Sequence, residues 1–348
     1  MRARSMQANA GQLKADRAKP PVNAKLRFED PDHLAETMTG GRYGVTPFEH
    51  TGFAATFRST IVGDGLVCRS AAFESAFLLR ALFLADDKPT ISFLLPCISG
   101  PRAVLNGKEV DFQYLSTSNG GVHHQIRGAA GHEAGTVCIQ REMMLDTYEA
   151  LTGLEAPSFL HGDSIVRADP KMIRRLNLLH SRAGDIGTGA AQHVRHDEVA
   201  ATSELRETLL ATMVGILSAG EARTDHQATR RQTASMARID RFIDDHPQDV
   251  PKLQDLCRGT GMALRTVESI IRSRTGLTAL QYLRRRRLAF ARRALANANQ
   301  QMTVTGVAME YGFTHLGRFS VDYRKAYGEP PSASLSRALD LRARSPAA

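Results

Sequence analysis

Two similar stretches in the last third of the chain decide its fold: LQDLCRGTGMALRTVESIIRSRTG at residues 253–276 and VTGVAMEYGFTHLGRFSVDYRKAYG at residues 304–328. Apolar residues and glycines occupy equivalent positions in both, and the second stretch is one residue longer after its first glycine turn. The equivalent pairs are Leu253 and Val304, Leu256 and Val307, Cys257 and Ala308, Gly261 and Gly312, Val267 and Phe319, Ile271 and Tyr323, and Gly276 and Gly328. The chain therefore contains the same unit twice in tandem.

Each stretch has the spacing of two short helices joined by a tight turn. Apolar residues at i, i+3 and i+4 place one face of the first helix on a core, and a glycine follows where the backbone needs a positive φ. A second helix begins within a few residues, as in a helix–turn–helix. One such hairpin is a weak signal. A tandem pair predicts DNA binding, with each second helix, the recognition helix, in a major groove.

The segment between the two units, residues 278–296, predicts a connecting helix with one apolar and one basic face. One interpretation of the run of arginines is a solvent-exposed helix face without a binding partner. Its position between two DNA-binding units instead favours contact with phosphates. A rigid connecting helix would hold both recognition helices on one face of the duplex, about one turn (~34 Å) apart. The arginines are Arg284, Arg285, Arg286, Arg287, Arg292 and Arg293.

A wider set of residues in this part of the chain follows a known pattern: Leu253, Leu256-Cys257, Gly261, Arg265-Thr266-Val267, Gly276, Gln281-Tyr282-Leu283-Arg284, Leu288, Ala291-Arg292-Arg293, Val307-Ala308, Tyr311-Gly312-Phe313, Phe319, Tyr323-Arg324, Tyr327-Gly328 and Pro331-Ser332. Residues 236–338, nearly a third of the chain, resemble the DNA-binding domain of the AraC/XylS family of bacterial transcription regulators. The resemblance implies a cupin-like sensor domain before it and activation through RNA polymerase. The sequence departs from the family pattern at Ile271, Gly306 and Ser334.

The distribution of charge separates the chain into two parts. The net charge is +9, but residues 231–348 carry 20 Lys and Arg against 10 Asp and Glu, so the rest of the chain is close to neutral. A near-neutral domain joined to a basic one is typical of a sensor attached to a polyanion-binding module. The length of 348 residues is sufficient for two such domains.

Composition also bounds the compartment and the partners. The first 20 residues have no apolar segment of the kind found in secretory signals, and no apolar run is long enough to span a membrane. The four cysteines lack a CxxC spacing, which argues against a zinc site and a disulfide framework. We therefore expect a cytoplasmic, nucleoid-associated protein with no membrane partner. The cysteines are Cys68, Cys97, Cys138 and Cys257.

The chain is predicted to divide into five segments. A basic tail without periodicity at residues 1–25 precedes a ligand-sensing and dimerisation domain at residues 26–218. The tail is either disordered or an arm that touches DNA. A polar linker at residues 219–234 leads to the DNA-binding domain at residues 235–338, and a short tail at residues 339–348 follows.

Short β-leaning runs fill the first part of the predicted sensor domain, between Arg27 and Val137. The Asn106-Gly107 pair between two such runs predicts a tight hairpin, because a type I′ turn needs positive φ at both central residues. These runs predict a small antiparallel barrel or sandwich, followed by helices. The predicted fold class is α+β in two domains: a cupin-like β domain with a helical extension, and an all-α domain of two helix–turn–helix units joined by a linker helix.

An apolar stripe marks the helix predicted at residues 202–217. The stripe either packs against the chain's own β domain or, as the family resemblance implies, forms a homodimer. Its residues are Leu205, Leu209, Met213 and Ile216.

Catalytic and metal-binding motifs are absent from the sequence. His123, His124 and His132 lie near predicted strands, but the HxH spacing with a following glutamate that a cupin metal site uses is missing. There is no GxSxG motif, P-loop or GxGxxG. We therefore expect neither an enzyme nor a cofactor. The alternative is a cupin-type metal enzyme domain fused to a DNA-targeting module.

The recognition helices supply the candidate base contacts. Arg265 can donate two hydrogen bonds to guanine and Glu268 can accept one from cytosine, whereas apolar positions in the second helix favour recognition of DNA shape. Phosphate contacts would position the protein without specifying sequence. The candidate base-contacting residues are Arg265, Glu268, Ser269, Arg272, His315, Leu316, Gly317, Arg318 and Val321, and the candidate phosphate contacts are Arg274, Arg284, Arg324 and Lys325.

The predicted function is a ligand-responsive, sequence-specific transcription regulator, expected to be an activator. Its predicted partners are double-stranded DNA, RNA polymerase by resemblance, a second copy of the chain and a small-molecule effector. The sequence identifies neither the effector nor the residues that bind it. A third hypothesis is an architectural DNA-binding protein that responds to no ligand.

Overall fold

The computed structural model describes residues 23–38, 41–48, 52–83, 90–110, 113–118, 123–161, 164–189, 196–222, 226–247 and 251–344. The tail predicted at residues 1–25 lies outside these ranges except for its last three residues. Within the described ranges, no helix is both long and apolar enough to cross a membrane.

Antiparallel strands form two sheets in the N-terminal part of the described chain. A large sheet has the order β1-β3-β4-β11-β6-β9-β12-β13, and a small sheet has the order β2-β5-β10-β7-β8. The strands are β1 (Ala24–Phe28), β2 (Gly41–Pro47), β3 (Ala55–Ile61), β4 (Leu66–Phe73), β5 (Phe77–Phe83), β6 (Thr90–Ser99), β7 (Ala103–Leu105), β8 (Lys108–Val110), β9 (Tyr114–Ser118), β10 (His123–Gly128), β11 (His132–Gln140), β12 (Ser164–Arg167) and β13 (Glu221–Ala222). The predicted β domain is therefore confirmed.

The alternating direction of the side chains along each strand explains why the two sheets stack. In β4, Leu66 and Cys68 point to one face of the large sheet, whereas Ala71 and Phe73 point to the other. The second pair packs against side chains of the small sheet such as Leu79, which forms the core of the sandwich. Because side chains alternate with a period of two, one strand can serve two cores.

The hairpin predicted at Asn106-Gly107 is confirmed. The two residues have φ of 52° and 82° and join β7 to β8 in the small sheet. Both central residues of the turn therefore have the left-handed conformation for which the Asn-Gly pair is selected.

Four helices belong to the N-terminal part: α1 (Pro31–Thr37), α2 (Arg141–Thr152), α3 (Pro170–Gly189) and α4 (His196–Ala219). The last three cover the outer face of the large sheet in one apolar cluster. This packing corrects the proposed dimerisation stripe, because its side chains are at most 7% exposed and lie inside the chain's own core. The stripe residues are Leu205, Leu209, Met213 and Ile216.

Seven helices form the C-terminal domain in the described residues: α5 (His226–Asp244), α6 (Leu253–Thr260), α7 (Leu264–Thr275), α8 (Ala279–Ala296), α9 (Val304–Glu310), α10 (Leu316–Tyr327) and α11 (Pro331–Arg344). Helices α6–α7 and α9–α10 are the two predicted units, and α8 connects them. The irregular linker expected at residues 219–234 instead holds β13 and the start of α5, while α11 extends into the expected C-terminal tail.

The three departures from the family pattern are accommodated locally. Ile271 is fully buried in the domain core. The backbone N–H of Gly306 donates to Thr303 Oγ1 (3.0 Å), which caps α9. Ser334 takes part in a buried polar chain in which Tyr323 Oη donates to Ser334 Oγ (2.7 Å) and that hydroxyl donates to Glu329 Oε1 (2.6 Å).

The described elements stack in four layers: helices α2–α4, the large sheet, the small sheet and the C-terminal domain. Leu78 of β5 shows that the small sheet contacts the C-terminal domain. It is 1% exposed and belongs to the same apolar cluster as Ile239 and Tyr282 of that domain. The outer face of the small sheet is therefore the junction between the two domains.

We predict that Leu209→Ala lowers the free energy of unfolding by about 2–5 kcal/mol, because it removes a fully buried side chain from the core beneath the large sheet. Urea denaturation followed by circular dichroism measures the change. Leu178→Ala is the matched control, since Leu178 lies on α3 but is 63% exposed, and should change stability by less than about 0.5 kcal/mol. An oligomer that dissociates in Leu209→Ala without a loss of stability would instead identify the stripe as an interface.

Candidate DNA interface

The first recognition helix, α7, has one buried and one exposed face. Val267, Ile270 and Ile271 lie in the core. The four residues predicted to contact bases are all exposed on the opposite face, as the 3.6-residue period requires. These residues are Arg265, Glu268, Ser269 and Arg272. The structure thus brings the first set together on one accessible surface, and their contact with bases stays a prediction.

The second recognition helix, α10, is arranged in the same way. Phe319, Tyr323 and Tyr327 are its buried residues. The predicted base-contacting residues are again exposed: His315, Leu316, Gly317, Arg318 and Val321. Two of them, Leu316 and Val321, are exposed apolar side chains on an otherwise polar surface. Exposed apolar groups in a major groove can contact the methyl group of thymine.

Two of the four predicted phosphate contacts are accessible and two are engaged within the chain. Arg324 and Lys325 are exposed. Arg284 forms an ion pair with Asp322 of α10. Arg274 is 2% exposed, and its guanidinium donates to the carbonyl oxygen of Asn106 (3.0 Å) and to Thr233.

The phosphate role predicted for Arg274 therefore does not fit this conformation. Burial lowers the pKa of Arg274 to about 10, because the guanidinium is desolvated. The sequence places this residue on a recognition helix, but the β7–β8 hairpin covers it. Its position in the structure is at the junction between the domains.

The arginine run of α8 also contributes mainly to the junction. Arg285 donates to the carbonyl oxygen of Pro47 (2.7 Å), and its guanidinium lies 4.3 Å from the centre of the Phe48 ring. Arg292 donates to Asp30 Oδ2 (2.6 Å) and Arg293 Nε donates to Asp32 Oδ1 (3.0 Å). The expected contact of these arginines with phosphate is replaced by contact with the N-terminal part of the chain.

Helix α1 supplies the acidic partners. Asp30 is its N-cap and accepts from the backbone N–H of Asp32 (2.8 Å) and of His33 (3.3 Å). Burial alone would raise the pKa of Asp30, but the charge and hydrogen bond of Arg292 outweigh it and hold the pKa below its ordinary value. The ionised carboxylate is therefore the stable form at this contact.

A second acidic group, Asp240 of α5, lies at the centre of the junction. It is 0% exposed and accepts from Gln125 Nε2 (3.2 Å) and from the hydroxyl of Tyr282, while Arg80 Nη1 lies 3.8 Å from its Oδ1. Burial raises the pKa of both Asp240 and Tyr282. This cluster is not among the sites predicted from the sequence, although a charged Arg80 inside the apolar run FLLRALF is a signal for it.

Between the two sheets lies a small cavity of about 40 Å³. Its walls include Phe57, Leu79 and Ile126, and Arg69 and Thr136 contribute polar groups. Arg69 Nη1 donates to the sulfur of Cys138 (3.4 Å). Within the described part of the chain, its Nε is buried without a hydrogen-bond partner, and no Asp or Glu lines the cavity.

The candidate metal residues are engaged in other contacts. His124 Nε2 lies 3.1 Å from Ser118 Oγ, and His132 Nδ1 lies 2.7 Å from the carbonyl oxygen of Pro101. The side chain of His123 lies outside the description. Among the residues that the structure describes, no three His, Cys, Asp or Glu side chains come together as metal ligands would.

Comparison with known proteins gives a family match within the C-terminal domain and several relatives that are similar over about 100 residues. A family model described as a helix-turn-helix domain matches residues 256–337. The XylDLEGF operon transcriptional activator 2 of Pseudomonas putida is 36% identical over 100 residues, which cover 28% of this chain and 64% of that protein. The HTH-type transcriptional regulator ExsA of Pseudomonas aeruginosa is 31% identical over 107 residues, which cover 31% of this chain and 38% of that protein. The chain thus spans less than two thirds of the length of these relatives.

Solved structures give matches of low overall similarity. A probable AraC family transcriptional regulator from Rhodopseudomonas palustris is 28% identical, and the match covers 30% of this chain and 98% of that chain with a TM-score of 0.28. The AraC-like transcriptional activator CuxR is 15% identical, and that match covers 83% of this chain and 100% of the other with a TM-score of 0.40.

The tandem units, their connecting helix and the sequence identity to the curated activators lead to one assignment. Residues 256–337 belong to a helix-turn-helix domain family, and the chain is similar in sequence to the Pseudomonas putida activator over 100 residues.

Proposed function

We propose that this chain is a transcription regulator that recognises DNA sequence with two helix–turn–helix units. The observation that carries the proposal is the pair of accessible faces on α7 and α10, each backed by a buried apolar face. Residues 231–348 also carry twice as many basic as acidic residues, which favours a polyanionic partner. The Pseudomonas putida relative is a transcriptional activator by name, and activation is accordingly the proposed direction of control.

In this proposal the two helices recognise bases by different chemistry. Arg265 donates to guanine and Glu268 accepts from cytosine in one groove segment. Arg318 is the polar contact of the second helix, where Leu316 and Val321 pack against thymine methyl groups. Arg324 and Lys325 contact phosphates and fix the position on the duplex without specifying sequence.

Activation through RNA polymerase and the formation of a homodimer remain proposals that rest on the family resemblance. A homodimer would need a surface other than the buried stripe of α4. A nucleoid-associated, cytoplasmic location follows from the proposed partner. The alternative of a metal enzyme domain has no supporting ligand cluster in the described residues.

We also propose that the β domain is the effector domain, with the cavity between the sheets as its binding site. A guanidinium in an apolar cavity whose described lining contains no Asp or Glu favours an anion. The volume is about three times the minimum that one buried water needs (~10–15 Å³), which limits the ligand to a few heavy atoms. A short-chain carboxylate matches both the apolar walls and Arg69.

Selection from a randomised duplex pool, followed by affinity measurement, tests DNA recognition. We predict that Arg265→Ala and Arg318→Ala each weaken binding to the selected duplex by about 1–3 kcal/mol and relax preference at one base position. Arg258→Ala is the matched control, because Arg258 lies on α6, outside both recognition helices, and its side chain is 80% exposed. Weak binding to every sequence, unchanged by either substitution, would refute sequence recognition.

Thermal unfolding with short carboxylates tests the effector site. We predict that propionate and butyrate raise Tm, whereas propionamide and butyramide at equal concentration do not, because only the carboxylate pairs with Arg69. Arg69→Gln should abolish the difference. Arg102→Gln, an exposed arginine beside the β7–β8 hairpin, should retain it. Equal stabilisation by acids and amides would exclude an anion-binding role for Arg69.

A further inference from the structure

The β domain contacts both recognition helices at equivalent places in the tandem repeat. Gly276 ends α7 and Gly328 ends α10, with φ of 73° and 76°. The guanidinium of Arg127, on β10, occupies the space that a Cβ at Gly276 would need. A Cβ at Gly328 would lie 2.8 Å from the Cα of Gly52, in the segment before β3. The two contacts are thus at the C-terminal ends of both helices.

The first contact is reinforced by the β7–β8 hairpin. Arg274 Nη1 donates to the carbonyl oxygen of Asn106 (3.0 Å), and a Cβ at Gly107 would clash with the carbonyl oxygen of Ser273. The hairpin backbone therefore packs directly on the last turn of α7. Through its bond to Thr233 of α5, Arg274 joins three elements at this point.

The hairpin is in turn anchored in the interior of the β domain. Asn106 Nδ2 lies 3.3 Å from His124 Nδ1, and Asn106 Oδ1 accepts from the backbone N–H of Gln125 (2.9 Å). His124 is 4% exposed, and its other ring nitrogen lies 3.1 Å from Ser118 Oγ. The hairpin tip is thus held from both sides and does not depend on α7 alone for its position.

The second contact is reinforced by the connecting helix. The guanidinium of Arg292 lies 4.4 Å from the centre of the ring of Tyr327, the last residue of α10. The same guanidinium donates to Asp30 (2.6 Å), the N-cap of α1. Helix α10 also lies against β2. The end of the second recognition helix is therefore fixed to the β domain by close backbone packing and by charge.

We propose that the β domain is a two-point clamp that sets the separation and angle of the two recognition helices, with Arg127, Asn106-Gly107 and Arg274 as positioning residues at the first point. This inference rests on the proposed DNA recognition. Recognition helices contact bases mainly through their N-terminal residues. Contacts at the C-terminal ends of the helices therefore leave the N-terminal, base-contacting residues accessible. The same contacts fix the direction of each helix. A cationic Arg127 also suits the negative end of the helix dipole.

The test uses the full chain and a duplex selected by the wild type from a randomised pool. One base pair is inserted between the two contacted segments, which displaces one segment by about 3.4 Å and rotates it by about 34°. For the wild type we expect a loss of affinity of about tenfold or more, comparable to one mismatch. For Arg127→Ala and Gly107→Ala we expect a loss below about threefold, because the helices can follow the new spacing. Arg102→Ala, beside the same hairpin, should behave as the wild type.

Arg274→Met separates the two roles considered for that residue. If Arg274 is a positioning residue, its replacement by Met should change the spacing preference and leave the salt dependence of binding unaltered. If Arg274 contacts a phosphate, the same replacement should instead reduce the slope of log affinity against log salt by about one and leave the spacing preference intact. The second result would overturn its place in the clamp.

Amide hydrogen exchange tests the clamp without DNA. We expect faster exchange at residues 271–276 in Arg127→Ala and Gly107→Ala than in the wild type or in Arg102→Ala. Unchanged exchange together with an unchanged insertion penalty overturns the proposal. If the wild type selects no sequence, DNA recognition fails, and exchange at residues 271–276 alone then decides whether the hairpin restrains α7.

Discussion

The junction between the two domains depends on one buried carboxylate. Asp240 has no exposed surface, and an ionisable group in that position is strongly destabilising unless other groups compensate for its desolvation. Tyr282 comes from the same domain, whereas Arg80 and Gln125 come from the β domain. Removing one partner of a buried pair typically costs about 3–5 kcal/mol. Neither domain alone supplies the full set of partners, so separation of the domains would leave Asp240 only partly compensated.

Local sequence signals predicted much of the secondary structure because they report short-range geometry. The helix predicted at residues 202–217 lies within α4, and the Asn106-Gly107 turn has the expected positive φ angles. The tandem glycines likewise mark the internal turn and the C-terminal end of each helix–turn–helix unit. Helical periodicity also predicts that the candidate base-contacting residues are exposed. When one face of a helix packs on the core, the residues of the opposite face point to solvent.

Long-range partners could not be predicted in this way. The sequence shows that α8 is rich in arginine, but it does not show that Asp30 and Asp32, about 260 positions earlier, neutralise two of these arginines. The apolar stripe of α4 has the same appearance whether it packs on a partner chain or on its own sheet. Arg274 was assigned to phosphate because helix periodicity does not reveal that a hairpin covers the last turn of α7. In each case the missing information is the identity of the neighbouring surface.

The two kinds of charge in the C-terminal domain should respond differently to ionic strength. Arg292 is 5% exposed at the junction, whereas Arg324 and Lys325 are exposed to solvent. Mobile ions screen exposed charges over about 8–10 Å but affect buried pairs much less. Under the proposed function, a rise in salt would therefore release the DNA before it loosened the junction. The chain would leave its site as an intact unit, with its recognition helices still arranged for the next encounter.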